Sequence, residues 1–233
     1  MKKIIILIFV YMFITACSND GYRIENGQVV YERPWNEGLG TVIEELNADP
    51  KTFKVLGKDN VSWAKDAYTV FWGYIPLKFM DAKTFEVLGG DFAKDKDKVI
   101  CGRDIINEAD IGTFSTVELV NIEGKKRVYG VDEFAVYTCG LRIPTKDIEN
   151  FKPLKDGFFK DSRNVSWLGY FLQNANANKF KVLNGGYGTD GSNVYYHHKK
   201  IFGADPESFE VISFASAKDK NYKYKFEDRV RED

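Results

Sequence analysis

Hydrolytic and group-transfer chemistry needs side chains that move protons or attack carbon, and few residues of this 233-residue chain are arranged for it. His197 and His198 are its two histidines and are adjacent. A Ser–His–Asp or Cys–His–Asn relay holds one histidine between a nucleophile and an orienting partner. Neighbours on a strand point to opposite faces, and no zinc-type spacing surrounds this pair. Both are therefore expected as solvated residues at a hairpin end. Glycoside cleavage needs two carboxylates at a set separation, and among 34 acidic residues no pair stands out. No GxxxxGK(S/T) loop offers a phosphate cradle.

Asp66, Asp95, Asp132, Asp161, Asp190 and Asp219 recur as a column. Hard oxygen ligands recurring once per turn can bind calcium, but calcium takes six to eight oxygens, and no tight Gly-rich nonapeptide loop supports them. Carboxylates that accept hydrogen bonds from turn amides explain one Asp per turn without a metal. The residues thus predict no enzyme, no cofactor and no metal.

The charge is nearly balanced, 33 basic against 34 acidic side chains, which speaks against a nucleic-acid-binding domain. With 44% hydrophobic residues there is ample material for a core, and the 15% aromatic share favours strands.

The elements that must position these side chains are copies of one unit. Phe-x-Val-Leu/Ile begins at Phe53, Phe85, Phe180 and Phe209, with weaker copies at Phe114 and Phe151; the last three, Phe151, Phe180 and Phe209, are spaced by 29 residues. A second landmark is an aromatic followed by an acid three later, Val seven later and Ile or Leu fourteen later, as in Trp63/Asp66/Val70/Leu77 and Phe158/Asp161/Val165/Leu172. About seven copies are present, the first opening at Tyr22 and the last degraded around Asp219. Two insertions break the pattern, around Pro34-Trp35 and from Glu118 to Arg127.

Val and the bulky residue two later, as in Val70/Trp72, Val99/Cys101, Val165/Trp167 and Val194/Tyr196, share one strand face, which is expected to be buried. Stretches such as Asp190-Gly191-Ser192-Asn193 suit turns, so each unit reads as a meander of three short strands. Asp49, Asp81, Asp110, Asp147, Asn176 and Asp205 lie four before each Phe. As N-caps they predict a single helical turn joining one meander to the next. A ~29-residue unit cannot bury its own faces and must stack on its neighbours. The fold class expected is mainly β: an elongated, solenoid-like array over residues 22–233 rather than a closed propeller, whose blades run to ~40 to 50 residues. Strands rich in Phe71-Trp72, Trp167 and Tyr195-Tyr196 are expected to pack inside rather than form a stacking platform.

Ala217-Lys218-Asp219-Lys220-Asn221-Tyr222, Ala93-Lys94-Asp95-Lys96-Asp97-Lys98-Val99 and the run from Asn193 to Pro206 resemble the DKNYY repeat family of bacterial secreted and lipid-anchored proteins. The resemblance covers nearly all of the chain after the first segment. It implies a repeat architecture and an extracytoplasmic location, and brings no catalytic residue.

The first segment reads as an address. Lys2 and Lys3 precede an apolar run that ends in Ile14-Thr15-Ala16-Cys17, the layout of a secretion signal and too short for the ~20 residues of a spanning helix. The tetrad resembles a bacterial lipobox. Residues 1–16 are then a signal peptide, Cys17 is the lipidated residue, and 17–21 form a short linker. Ser18 stands where inner-membrane-retained lipoproteins usually carry Asp, so in a two-membrane host the outer membrane is expected. Such a compartment permits disulfides. Yet Cys101 and Cys139 occupy neighbouring, non-equivalent repeat positions on opposite strand faces, which favours buried free thiols over a bond.

The expected function is a membrane-anchored, non-catalytic binding or scaffolding protein of the bacterial cell envelope, with a protein or envelope glycan as partner. The alternative is an inhibitor or immunity-type lipoprotein that neutralises a toxin or hydrolase, and a third reading is a divergent carbohydrate-active enzyme. Loops that depart from a repeat are free to serve function, which makes Trp35, Glu118, Lys125, Lys126 and Arg127 the candidate binding residues.

Overall fold

A computed structural model describes residues 21–34, 41–56 and 63–230. Cys17, the segment before it and Trp35 lie outside the described residues. The chain is mainly β and forms several small antiparallel sheets, each a meander of strands consecutive in sequence; the described residues contain no closed barrel. Among them no helix is long and apolar enough to cross a membrane. They divide into two compact units, one ending at Lys83 and one starting at Thr84.

The first unit holds a three-stranded sheet, Tyr22–Glu25, Gln28–Pro34 and Thr41–Leu46, and a four-stranded sheet of Lys54–Val55, Trp63–Lys65, Val70–Trp72 and Ile75–Leu77. Tyr22, Val29, Leu46, Ala64 and Phe71 form its core, with Phe53 against them.

The second unit contains five four-stranded sheets. Their opening strands are Glu86–Gly89, Ser115–Val120, Lys152–Pro153, Lys181–Val182 and Glu210–Ser213. These strands correct the expected three-stranded meander. The Phe-x-Val-Leu/Ile segment does not merely connect units but pairs antiparallel with the landmark strand that follows, as in Lys181↔Thr189 and Val182↔Gly188. Two paired residues are too few to show an alternation in the sequence.

Burial differs from expectation on one point with a physical reason. Val70, Val99, Val165 and Val194 are buried as predicted, but so are the residues directly after them, Phe71, Ile100, Ser166 and Tyr195, while Trp72 and Trp167 are half-exposed. A sheet with neighbours on both sides has two buried faces. Phe158 and Val165 of one sheet and Leu172 just after its last strand, for example, pack with Phe180 of the following linker and Tyr195 of the next sheet. The next interface repeats the pattern with Tyr187, Val194, Ile201 and Tyr224.

The linkers are turns, of which Ile148–Asn150 is a 3-10 helix. The helical turn expected in every linker is corrected: at Asp49, Asp81, Asp110, Asn176 and Asp205 no helix follows, and the side chain instead closes a hydrogen-bonded turn by accepting the amide two residues on at 2.8 to 3.3 Å. Asp147 does not cap its turn. Its carboxylate instead takes the Ser162 amide and hydroxyl and the Asn150 side-chain amide, and these bonds, the Ser162 hydroxyl first, hold its pKa below the ordinary value.

Candidate binding cleft

The acidic column is the pin of each unit. In every copy from Asp66 to Asp219 one oxygen accepts the amides two and three residues later; for Asp66 these come from Tyr68 and Thr69 at 2.7 and 2.6 Å, for Asp219 from Asn221 and Tyr222 at 2.7 Å each. At Asp66, Asp132, Asp190 and Asp219 the other oxygen accepts the amide of the preceding linker acid or Asn, at 2.8 to 3.0 Å from Asp49, Asp110, Asn176 and Asp205. At Asp161 the Thr145 hydroxyl takes that place at 3.0 Å and relays to the Asp147 amide. All six carboxylates are buried, so the column ties turn to linker as turn-forming acids do.

The second insertion builds a surface of a different kind. The strands Ser115–Val120 and Lys126–Val131 pair over six positions and project as a hairpin. Its tip is closed by Asn121, whose side-chain oxygen accepts the Glu123 and Lys125 amides at 3.0 and 2.9 Å. Gly124, at φ 77°, supplies the left-handed residue the tip requires.

Strand alternation then sorts the four candidate residues of this insertion. Glu118 and Lys126 lie on one face and form an exposed ion pair at 2.7 Å, whose hydrogen bond raises the Lys126 pKa. Arg127 lies on the other face with Leu119 and the buried Tyr129. Arg127 and the tip residue Lys125 line a cleft of about 750 Å³, bounded also by Asp91, Cys139, Lys155 and Asp156. The structure thus brings Lys125 and Arg127 together and leaves Glu118 and Lys126 outside. Lys155 was missed because its unit shows no insertion; only the fold places it opposite the hairpin. Three cations and the carboxylates of Asp91, Glu123 and Asp156 share the rim, and Glu123 already holds Lys125 at 3.2 Å.

Cys101 and Cys139 form a disulfide with Cα atoms 5.3 Å apart, a span such bonds ordinarily bridge. The expectation of free thiols fails because its strand ends first: Ala135–Thr138 stops one residue before Cys139, so the face alternation does not reach it. Cys101 is buried and Cys139 is exposed to the cleft.

The histidines also depart from expectation. They occupy a hairpin turn as expected, His197 at φ 55°, but both are half-buried rather than fully solvated. His197 stacks on Trp167 with ring centroids 3.7 Å apart, and His198 lies 5.0 Å from the Tyr170 ring. Burial, followed by the charge of His198, lowers the His197 pKa. One repeat length brings these rings together, a contact that local alternation does not reveal.

A second cleft, of about 680 Å³, lies between Phe134 and Phe171 and is lined by Lys146, Asp147, Ser162 and Arg163. Lys146 sits over the Phe134 ring at 5.2 Å.

Comparison with known proteins matches the model of the DKNYY family to residues 92–228. No curated protein and no solved structure matches the chain.

Proposed function

The chain belongs to the DKNYY family, and from that premise we propose that it is a lipid-anchored, non-catalytic binding or scaffolding protein of the bacterial cell envelope. The observation that carries the binding part is the hairpin of residues 115–131. It is the described departure from the repeat that builds a wall, and that wall sets Lys125 and Arg127 across from Lys155. A charged, half-enclosed groove on a rigid sheet suits a protein segment or an anionic envelope glycan. The acids of the repeat are taken up by turn and linker amides, which leaves them a structural task and supports the non-catalytic reading. About seven copies of the unit, stacked as an open and elongated array, form the scaffold in this proposal.

The anchor rests on the tetrad Ile14-Thr15-Ala16-Cys17. Acyl chains contribute ~0.8 kcal/mol per buried methylene, so Cys17→Ala is expected to move the protein out of the membrane fraction; retention would sink the anchor. The binding part is tested by immobilising the chain without residues 1–17 and identifying what it retains from envelope extracts. One stoichiometric protein supports a specific receptor or an inhibitor of the immunity type. Envelope glycan alone supports a structural role.

A further inference from the structure

Three departures from the repeat converge at one point on the cleft wall. At the residue before the landmark aromatic the last three sheets carry Gly157, Gly186 and Ala215; here the third sheet of the chain carries Asp91. Where other sheets place Trp72, Trp167 or Tyr196 it places Cys101, and where other hairpins turn on Gly73, Leu168 or His197 the next sheet turns on Cys139. A carboxylate oxygen and both sulfurs lie within 4.8 Å of one another. The repeat itself requires none of the three: Gly157, Gly186 and Ala215 accept the turn amide through their carbonyls as Asp91 does from Gly102 at 2.7 Å. That bond fixes the Asp91 main chain beside Cys101, leaving its side chain unused by the fold.

We propose that Cys101 and Cys139, once reduced, act with Asp91 as a three-ligand site for a thiophilic divalent cation of the zinc group, with the fourth position open to the cleft. Zinc binds thiolate at about 2.3 Å and carboxylate at about 2.0–2.2 Å, so its ligand atoms sit roughly 3.3–3.8 Å apart in a tetrahedron. On reduction the two sulfurs must separate to that spacing, and the Asp91 carboxylate oxygen already lies within 4.8 Å of both. Cys101 supplies the buried wall, and the exposed Asp91 and Cys139 give the ion a way in. The disulfide and the metal exclude each other. A dithiol reductant passes two electrons and two protons to the S–S bond and becomes a disulfide itself; the cation then displaces the two thiol protons and binds both thiolates. The site does not rest on the proposed envelope role.

The test uses the full-length chain carrying Cys17→Ala, so that Cys101 and Cys139 are its remaining thiols. The chain is reduced with a water-soluble phosphine, which ends as phosphine oxide with oxygen taken from water, then desalted without air and titrated with Co2+. The expected result is one Co2+ per chain with sulfur-to-cobalt charge-transfer absorption, released by Zn2+ and absent before reduction. Loss of an outer-shell partner alone costs metal sites about 10–100-fold, so Asp91→Asn, a conservative surface change, should weaken Co2+ at least about tenfold. Asp156→Asn, on the same cleft, should leave it unchanged. A reduced protein without the charge-transfer band, or equal affinity in the Asp91→Asn chain, overturns the proposal.

Discussion

The Tyr137 phenol closes on the Asp132 carboxylate, its oxygen 2.7 Å from Oδ2, and Tyr224 meets Asp219 at the same 2.7 Å. Each tyrosine sits five residues after its aspartate and faces the preceding linker, whose amide shares the same carboxylate. One buried acid therefore holds a turn, a linker and a core ring together. Hydrogen bonds to a charged group contribute about 1.5–3 kcal/mol. Tyr137→Phe and Tyr224→Phe are each expected to cost about that much in denaturant unfolding. The matching Tyr195→Phe should cost less, because its hydroxyl stands 3.5 Å from Asp190. Equal costs at all three positions would contradict this account.

These contacts fix the pH response. Burial alone would raise the pKa of Asp132, Asp190 and Asp219, but amide and side-chain hydrogen bonds outweigh it and lower all three from 3.8. Their contribution is present above the unfolded value and is lost as pH falls through the folded values. Tyr137, Tyr187, Tyr195 and Tyr224 move the other way, pushed up from 10 to about 12 chiefly by burial. Their contribution is complete below pH 10 and is lost as pH rises towards 12. Melting followed by circular dichroism should fall at both ends; a flat midpoint from pH 9 to 12 would count against the tyrosine half.

Calcium should not matter to the acidic column. With each carboxylate already accepting turn amides, chelator-treated protein is expected to melt at the same temperature after calcium is added. A rise of several degrees would restore the column as a ligand ladder.

The disulfide joins residues 38 apart. In the chain-entropy model, closing such a loop stabilises the fold by about 4 kcal/mol. Reduction in chelator should lower the denaturant midpoint of the second unit, and an unchanged midpoint would contradict the chain-entropy account of this bond.

Much of this was legible in the sequence because the repeat is written at positions the fold cannot vary. Each Asp of the column must meet its own turn, and each Val must face a neighbouring sheet, so both recur at fixed spacing. What stayed hidden depends on where strands stop or on residues a full repeat away. The phase of Cys139 turns on one residue of strand end. Stacking of Trp167 on His197, and Lys155 facing the hairpin of residues 115–131, come from unit upon unit. Asp147 and Thr145 exchange roles within the linker motif, which residue types alone do not reveal.

The cleft beside the hairpin is the centre of the functional account, and charge reversal tests it most directly. Envelope extract passed over the immobilised chain should yield a partner that Lys125→Glu together with Arg127→Glu releases, while Lys126→Glu, on the opposite face, retains it. Capture that survives the double reversal, or is lost equally with Lys126→Glu, would contradict the assignment of this cleft as the binding surface.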